Sequence, residues 1–117
     1  MLTPMGMAKL TVEALDAKSA KDIRVLKTED LTVLANYFVI CTATSTTHVK
    51  TLADEVEKAL KAQDETVRRR EGYRSGGWVL LDFGCVVVHL FLEEVRAFYS
   101  LERLWGDAEE VQLTINN

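Results

Sequence analysis

Apolar residues recur along the chain at two periods, and the switches between them mark the elements. Met7, Leu10, Ala14 and Ala17 stand at helical spacing and predict a helix from about Met7 to Ser19. It follows a flexible N-terminal segment, 1–6, holding the only proline, Pro4. Asp22 to Thr28 alternates apolar and polar, which puts Ile23 and Val25 on one face of a half-buried strand. Asp30 to Ala35 reads as a single helical turn. Tyr37-Phe38-Val39-Ile40-Cys41 is a continuous apolar run, the pattern of a central strand covered on both faces.

Thr42 to His48 is rich in Thr and Ser and ends that strand, with Ser45 placed to cap the next helix. That helix, about Thr46 to Ala62, carries Val49, Leu52, Val56, Ala59 and Leu60 on one stripe. Its outer face holds Asp54 with Lys58 and Glu57 with Lys61, pairs at the supporting spacing of four. Thr66 to Arg70 reads as a short, charged edge strand, and Glu71 to Gly77 as a glycine-rich loop.

The apolar residues concentrate between Gly77 and Asp107. With Phe83-Gly84 as a two-residue turn, Trp78 pairs with His89, Leu80 with Val87 and Asp82 with Cys85 on one face. Val79 and Leu81 share the other face with Val86 and Val88. Both faces are apolar, yet only two long helices and a short terminal one are available to cover the sheet, so one face is expected to be short of cover. The terminal helix would bury Val95, Phe98, Leu101 and Trp105, turn Tyr99, Glu102 and Arg103 outward, and stop at Gly106. This stripe is core packing or an interface; aromatics and arginine are enriched where proteins dock. Glu109 to Asn117 reads as a tail or an edge segment.

The element order is α/β: a single domain with a mixed sheet of about five strands, two main helices and a short C-terminal helix. The 117 residues, 48% hydrophobic, suit one compact core. No apolar run approaches the ~20 residues that span a bilayer, and Met1 to Gly6 has neither the basic flank nor the apolar core of a targeting segment, so a cytoplasmic protein is expected. Cys41 and Cys85 both lie in apolar, strand-like runs and suit reduced thiols.

A formal charge of −4, thickening over Glu93, Glu94, Glu102, Asp107, Glu109 and Glu110, opposes charge-driven binding of nucleic acid and favours a basic protein partner. Arg68-Arg69-Arg70 with Arg74 is the one basic patch, and reads as a solvated strand edge or loop.

Candidate chemistry is thin. Cys41 and His48, or Cys85 and His89, lack the spacing of metal knuckles, so no metal is expected. His48 reads as a capping or surface histidine and His89 as a hydrogen-bonded, half-buried one. Ser45 and His48 lack a nucleophile elbow, and helix capping explains the serine. No phosphate-loop or dinucleotide fingerprint is present, so no cofactor is expected. Asp82, beside a turn, reads as a turn former. Val39 to Leu60 resembles the strand, Thr/Ser turn and helix of a nucleotidyltransferase-like topology. The carboxylates that would position two metal ions there are missing, which implies a fold relative without the active site.

Several ordered motifs carry a stronger resemblance: Lys18-Ser19-Ala20-Lys21-Asp22-Ile23, Tyr37 to Cys41, Ser45 with His48-Val49, Glu71-Gly72, Trp78-Val79-Leu80-Leu81-Asp82, Val87-Val88-His89, and Arg96 to Trp105. In these the chain resembles the ribosomal silencing factor family, also called Iojap-related, with the matching domain placed at 7–111 and a tail at 112–117. The resemblance implies a non-enzymatic, homodimeric translation repressor. It would bind the large ribosomal subunit through its protein fourteen (uL14) and block small-subunit joining under nutrient limitation; organellar relatives assist large-subunit assembly. Together with the hairpin faces it implies partner contacts at Trp78, Leu80, Asp82, His89, Tyr99, Leu101, Glu102 and Trp105, with little direct RNA contact and no membrane. Cys85 departs from the family, which commonly has an acidic residue there, and so removes an acidic partner for Asp82.

Overall fold

The computed structural model describes residues 2–28, 35–98 and 109–111, with backbone alone for 96–98 and 109–110. Helix α1 (Pro4–Ala17) leads into strand β1 (Lys21–Lys27). Then follow β2 (Tyr37–Ala43), α2 (Thr46–Lys61), β3 (Arg69–Glu71), β4 (Trp78–Asp82), β5 (Val86–Leu92), α3 (Glu93–Phe98) and a two-residue β6 (Glu109–Glu110). The strands form one mixed sheet in the order β3-β4-β5-β2-β1-β6, with β2 and β5 parallel and every other pair antiparallel.

Helix α1 starts three residues before the expected Met7, because Thr3 caps it and Pro4 takes the first turn. There the missing N–H costs nothing and the ring presets φ. Its buried stripe is also rotated from the expected one, to Met7, Ala8, Thr11, Val12 and Leu15. Thr11 is admitted to the core because its hydroxyl donates to the Met7 carbonyl at 2.8 Å, leaving no polar group unsatisfied.

Helix α2 matches its expected span to a residue, with Ser45 as N-cap accepting from the His48 N–H at 3.0 Å. Val49, Leu52, Ala53, Val56 and Leu60 form its buried stripe. Ala53 replaces Ala59, which is only half-buried. On the outer face, Asp54 and Glu57 do not turn to the lysines four residues on. Asp54 accepts from the Tyr73 hydroxyl at 3.1 Å, and Glu57 meets Arg70 at 3.0 Å.

Strand β2 is central, as its apolar run predicts. Tyr37, Val39, Cys41 and Ala43 enter the main core with Val25, Val79, Leu81, Val86, Val88 and Leu90. Helices α1 and α2 supply the other side of that core. Ile40 joins a second, smaller cluster with Leu26 and Phe91, against which Phe38, Trp78 and Val95 pack. Among the described residues only the short α3 packs against this second face, where Ile40, Phe91 and His89 are nonetheless no more than 4% exposed. The expected helical turn at Asp30 to Ala35 falls mostly outside the described residues, as does the terminal helix beyond Phe98.

The β4–β5 register differs from expectation by two. Trp78 stands opposite Phe91, Leu80 opposite His89 and Asp82 opposite Val87. The turn is Gly84-Cys85 rather than Phe83-Gly84, closed by the Phe83 N–H donating to the Val86 carbonyl at 2.9 Å. Gly84 sits at φ +91°, the left-handed conformation that a tight hairpin asks of its first turn residue. A slip of two residues keeps every side chain on its face, so the two apolar faces are unchanged. At the other edge, β3 is Arg69–Glu71 instead of Thr66–Arg70, and β6 pairs Lys27 with Glu109 and Leu26 with Glu110. Among the described residues no helix is long and apolar enough to cross a membrane.

Candidate functional site

Strand β4 alternates its side chains, so Val79 and Leu81 are buried under α2 while Trp78, Leu80 and Asp82 emerge half-buried on the second face. The loop before β4 sets where this display starts. Gly72, at φ +79°, runs so close beneath β4 that a Cβ there would lie 2.0 Å from the Trp78 carbonyl oxygen. The Gly72 carbonyl in turn accepts from the Gly76 N–H at 3.0 Å and the Ser75 hydroxyl at 3.1 Å, and the Gly77 carbonyl accepts from the Leu92 N–H at 2.8 Å. Glycine is required here because backbone passes against backbone.

Trp78 stacks on Phe91 with centroids 4.9 Å apart, and its indole N–H donates to His89 Nδ1 at 3.2 Å. His89 in turn lies 4.9 Å from the Phe38 ring. Phe38, Trp78, His89 and Phe91 therefore form one aromatic group, in which Phe38 and Trp78 are half-buried and His89 and Phe91 buried. Beside it, Glu71, Gly72, Trp78 and Leu80 line a shallow open recess of about 260 Å³.

His89 is only 4% exposed, and burial lowers its pKa to about 4. At neutral pH it is an uncharged ring beneath the face rather than a group on it. Since Nδ1 accepts from Trp78, Nε2 carries the proton, and it is buried without a hydrogen-bond partner among the described residues. Asp82 turns inward to the hairpin: its Oδ1 accepts from the Gly84 N–H at 2.8 Å, the turn-forming role that the sequence suggested. Tyr99, Leu101, Glu102 and Trp105, the other expected contacts, lie outside the described residues. Of the expected set, the structure brings together Trp78, Leu80, His89 and Asp82, and only the first two border the recess.

Glu71, Gly72, Phe38 and Phe91 also belong to this face and are not among the expected contacts, although Glu71-Gly72 and Phe38 fall in the motifs that carry the resemblance. The parity of Phe38 with Ile40 and of Phe91 with His89 carried the signal. It is hidden by the two-residue register error, which pairs Trp78 with His89 instead of Phe91.

The arginine run is engaged locally. Arg69 meets Glu71 at 2.9 Å, while Arg70 pairs with Glu57 and stands 4.4 Å over the Tyr73 ring. These contacts tie the edge strand to α2. His48 works within its own cap: Nδ1 accepts from the Thr44 N–H at 3.0 Å and Nε2 donates to the Lys18 carbonyl at 2.8 Å. Neither cysteine is in a disulfide: Cys41 is buried, and Cys85 has its thiol 3.3 Å from the Met7 sulfur, where burial pushes its pKa up. A raised pKa leaves less of the reactive thiolate.

Comparison with known proteins places these features in context. The family described as ribosomal silencing factor during starvation matches residues 3–117. A ribosomal silencing factor of Halalkalibacterium halodurans is 40% identical over 107 residues, covering 92% of each chain. A mouse protein named for mitochondrial assembly of the ribosomal large subunit is 34% identical over 99 residues, 82% of this chain and 43% of that one. The crystal structure of a Chromobacterium violaceum protein superposes with a TM-score of 0.88 at 37% identity, covering 98% of this chain and 95% of that one.

Proposed function

The chain belongs to the ribosomal silencing factor family, and on that premise we propose that it binds the large ribosomal subunit through protein fourteen and sterically prevents the small subunit from joining. Translation would thereby be repressed when nutrients are limiting. The observation that best supports a protein-docking role is the second face of the sheet. It lies on the side of the sheet away from α1 and α2, and on it a half-buried Trp78 and Leu80 border an open recess flanked by Glu71. Tryptophan in a partly desolvated setting is the commonest kind of binding anchor, and a carboxylate at its rim suits a basic partner.

The mechanism needs no reaction. A body 32 × 31 × 29 Å across, seated on an intersubunit surface, excludes whatever must approach that surface. The net charge of −4 and the pairing of Arg69 and Arg70 with carboxylates favour protein over RNA as the contacted surface. The reading includes a homodimer off the ribosome and action in the cytoplasm.

Co-sedimentation with isolated large subunits, scored with light scattering of subunit joining, tests this reading. The wild-type chain should co-sediment and suppress joining, and Trp78→Ala should weaken both by about 30-fold or more, the size of an interface anchor. Binding without suppressed joining would refute occlusion, and absence of binding would refute the reading as a whole.

A further inference from the structure

We propose that His89 is a positioning residue that holds the Trp78 indole in its docking orientation, an inference that rests on the docking reading of this face. Stacking on Phe91 sets the plane of the indole. The bond from its N–H to His89 Nδ1 adds a directional restraint by specifying one edge. His89 is itself held by its strand position opposite Leu80 and by the Phe38 ring, so the acceptor is fixed before any partner arrives.

The choice of histidine supports this role. An apolar ring in a site 4% exposed would fill the same space without cost, whereas histidine leaves a buried Nε2–H that has no partner among the described residues. An unsatisfied buried donor is destabilising, so the residue is explained by what its other nitrogen does. That nitrogen accepts from Trp78. Burial also keeps the ring neutral at physiological pH, which preserves Nδ1 as an acceptor. Ordering an anchor side chain before contact avoids part of the entropy cost of binding.

The test combines three measurements. First, nitrogen-15 NMR of the wild-type imidazole should show the Nε2–H tautomer of His89 at neutral pH; the Nδ1–H tautomer would overturn the proposal whatever the variants do. Second, hydrogen exchange of the Trp78 indole N–H, assigned with Trp78→Phe, should accelerate about threefold to tenfold in His89→Phe, the loss of one net hydrogen bond. It should return toward wild type in His89→Asn, whose Oδ1 replaces Nδ1. Third, affinity for large subunits should follow the same order: wild type strongest, Asn close behind, Phe weaker by about threefold to tenfold. Unchanged indole exchange in a folded His89→Phe would overturn the proposal. If wild type binds, Trp78→Ala fails to bind and His89→Phe binds normally, positioning by His89 is wrong while the docking reading stands. If wild type does not bind large subunits, the docking reading fails, and docking orientation with it, even where the tautomer and exchange results hold.

Discussion

Replacing Gly72 with alanine should be among the most damaging single-methyl additions to this protein, and its cost can be worked from the geometry. At φ +79° a side chain costs about 1–2 kcal/mol in backbone conformation alone. The new Cβ would also stand 2.0 Å from the Trp78 carbonyl oxygen and 3.1 Å from its carbonyl carbon, both backbone atoms of β4. Clearing that contact means shifting a strand, an overpacking term of about 1–3 kcal/mol. The sum is about 2–5 kcal/mol, a large share of the stability of a small domain. Gly84→Ala is the matched control. It has a similar φ of +91°, but its Cβ would meet the Arg68 guanidinium at 2.7 Å, the far end of a flexible side chain that can swing aside. It should cost only the backbone term, about 1–2 kcal/mol. Urea unfolding followed by circular dichroism reads the difference, with the Gly72→Ala midpoint falling on the order of 1–2 M and the Gly84→Ala midpoint by less. Because the clash falls on Trp78, Gly72→Ala should also weaken subunit binding under conditions where it is folded. Equal destabilisation by the two substitutions would refute the close-approach argument.

Two further substitutions probe other parts of the fold. Ser45→Ala removes the oxygen that accepts from the His48 N–H at 3.0 Å and should cost about 1 kcal/mol in urea unfolding, with Ser45→Asp close to neutral. Equal loss in both variants would show that the cap is not the reason for the serine. The pH dependence of stability should carry the signature of His89, whose pKa is about 4 folded against 6.5 unfolded. The unfolded chain takes up the proton first, so the stability contribution is full above pH 6.5 and is lost as pH falls toward 4. Between pH 7 and pH 5 wild type should lose about 2 kcal/mol more than His89→Phe, and parallel stability curves for the two would refute the buried neutral ring.

What was legible in the chain depended on whether the determinant was local. Ser45 caps α2 as expected because the cap needs only residues three positions apart. The two hairpin faces were readable because strand parity survives even a register error of two, and that error arose from choosing Phe83-Gly84 over Gly84-Cys85 as the turn. Pro4 falls in the segment expected to be flexible, yet it is a good first helical residue and opens α1. The rest rests on long-range partners that no local pattern encodes. Glu57 meets Arg70, 13 residues on, instead of Lys61, and His48 reaches Lys18, 30 residues away. At the candidate site, Trp78 and Leu80 are visible as surplus apolar side chains of the hairpin, and Asp82 as a turn former from its place beside the turn. The near-complete burial of His89 is not, since it depends on the neighbouring strands.

The docking of this face on protein fourteen is tested most directly by site-specific photocross-linking on purified large subunits. A benzophenone side chain placed at Leu80, beside the recess, should cross-link to protein fourteen of the large subunit, as identified by mass spectrometry. The same probe at Lys58, exposed on α2 on the opposite side of the sheet, should not. Cross-linking of protein fourteen from position 58 but not from position 80 would contradict the assignment of the docking face.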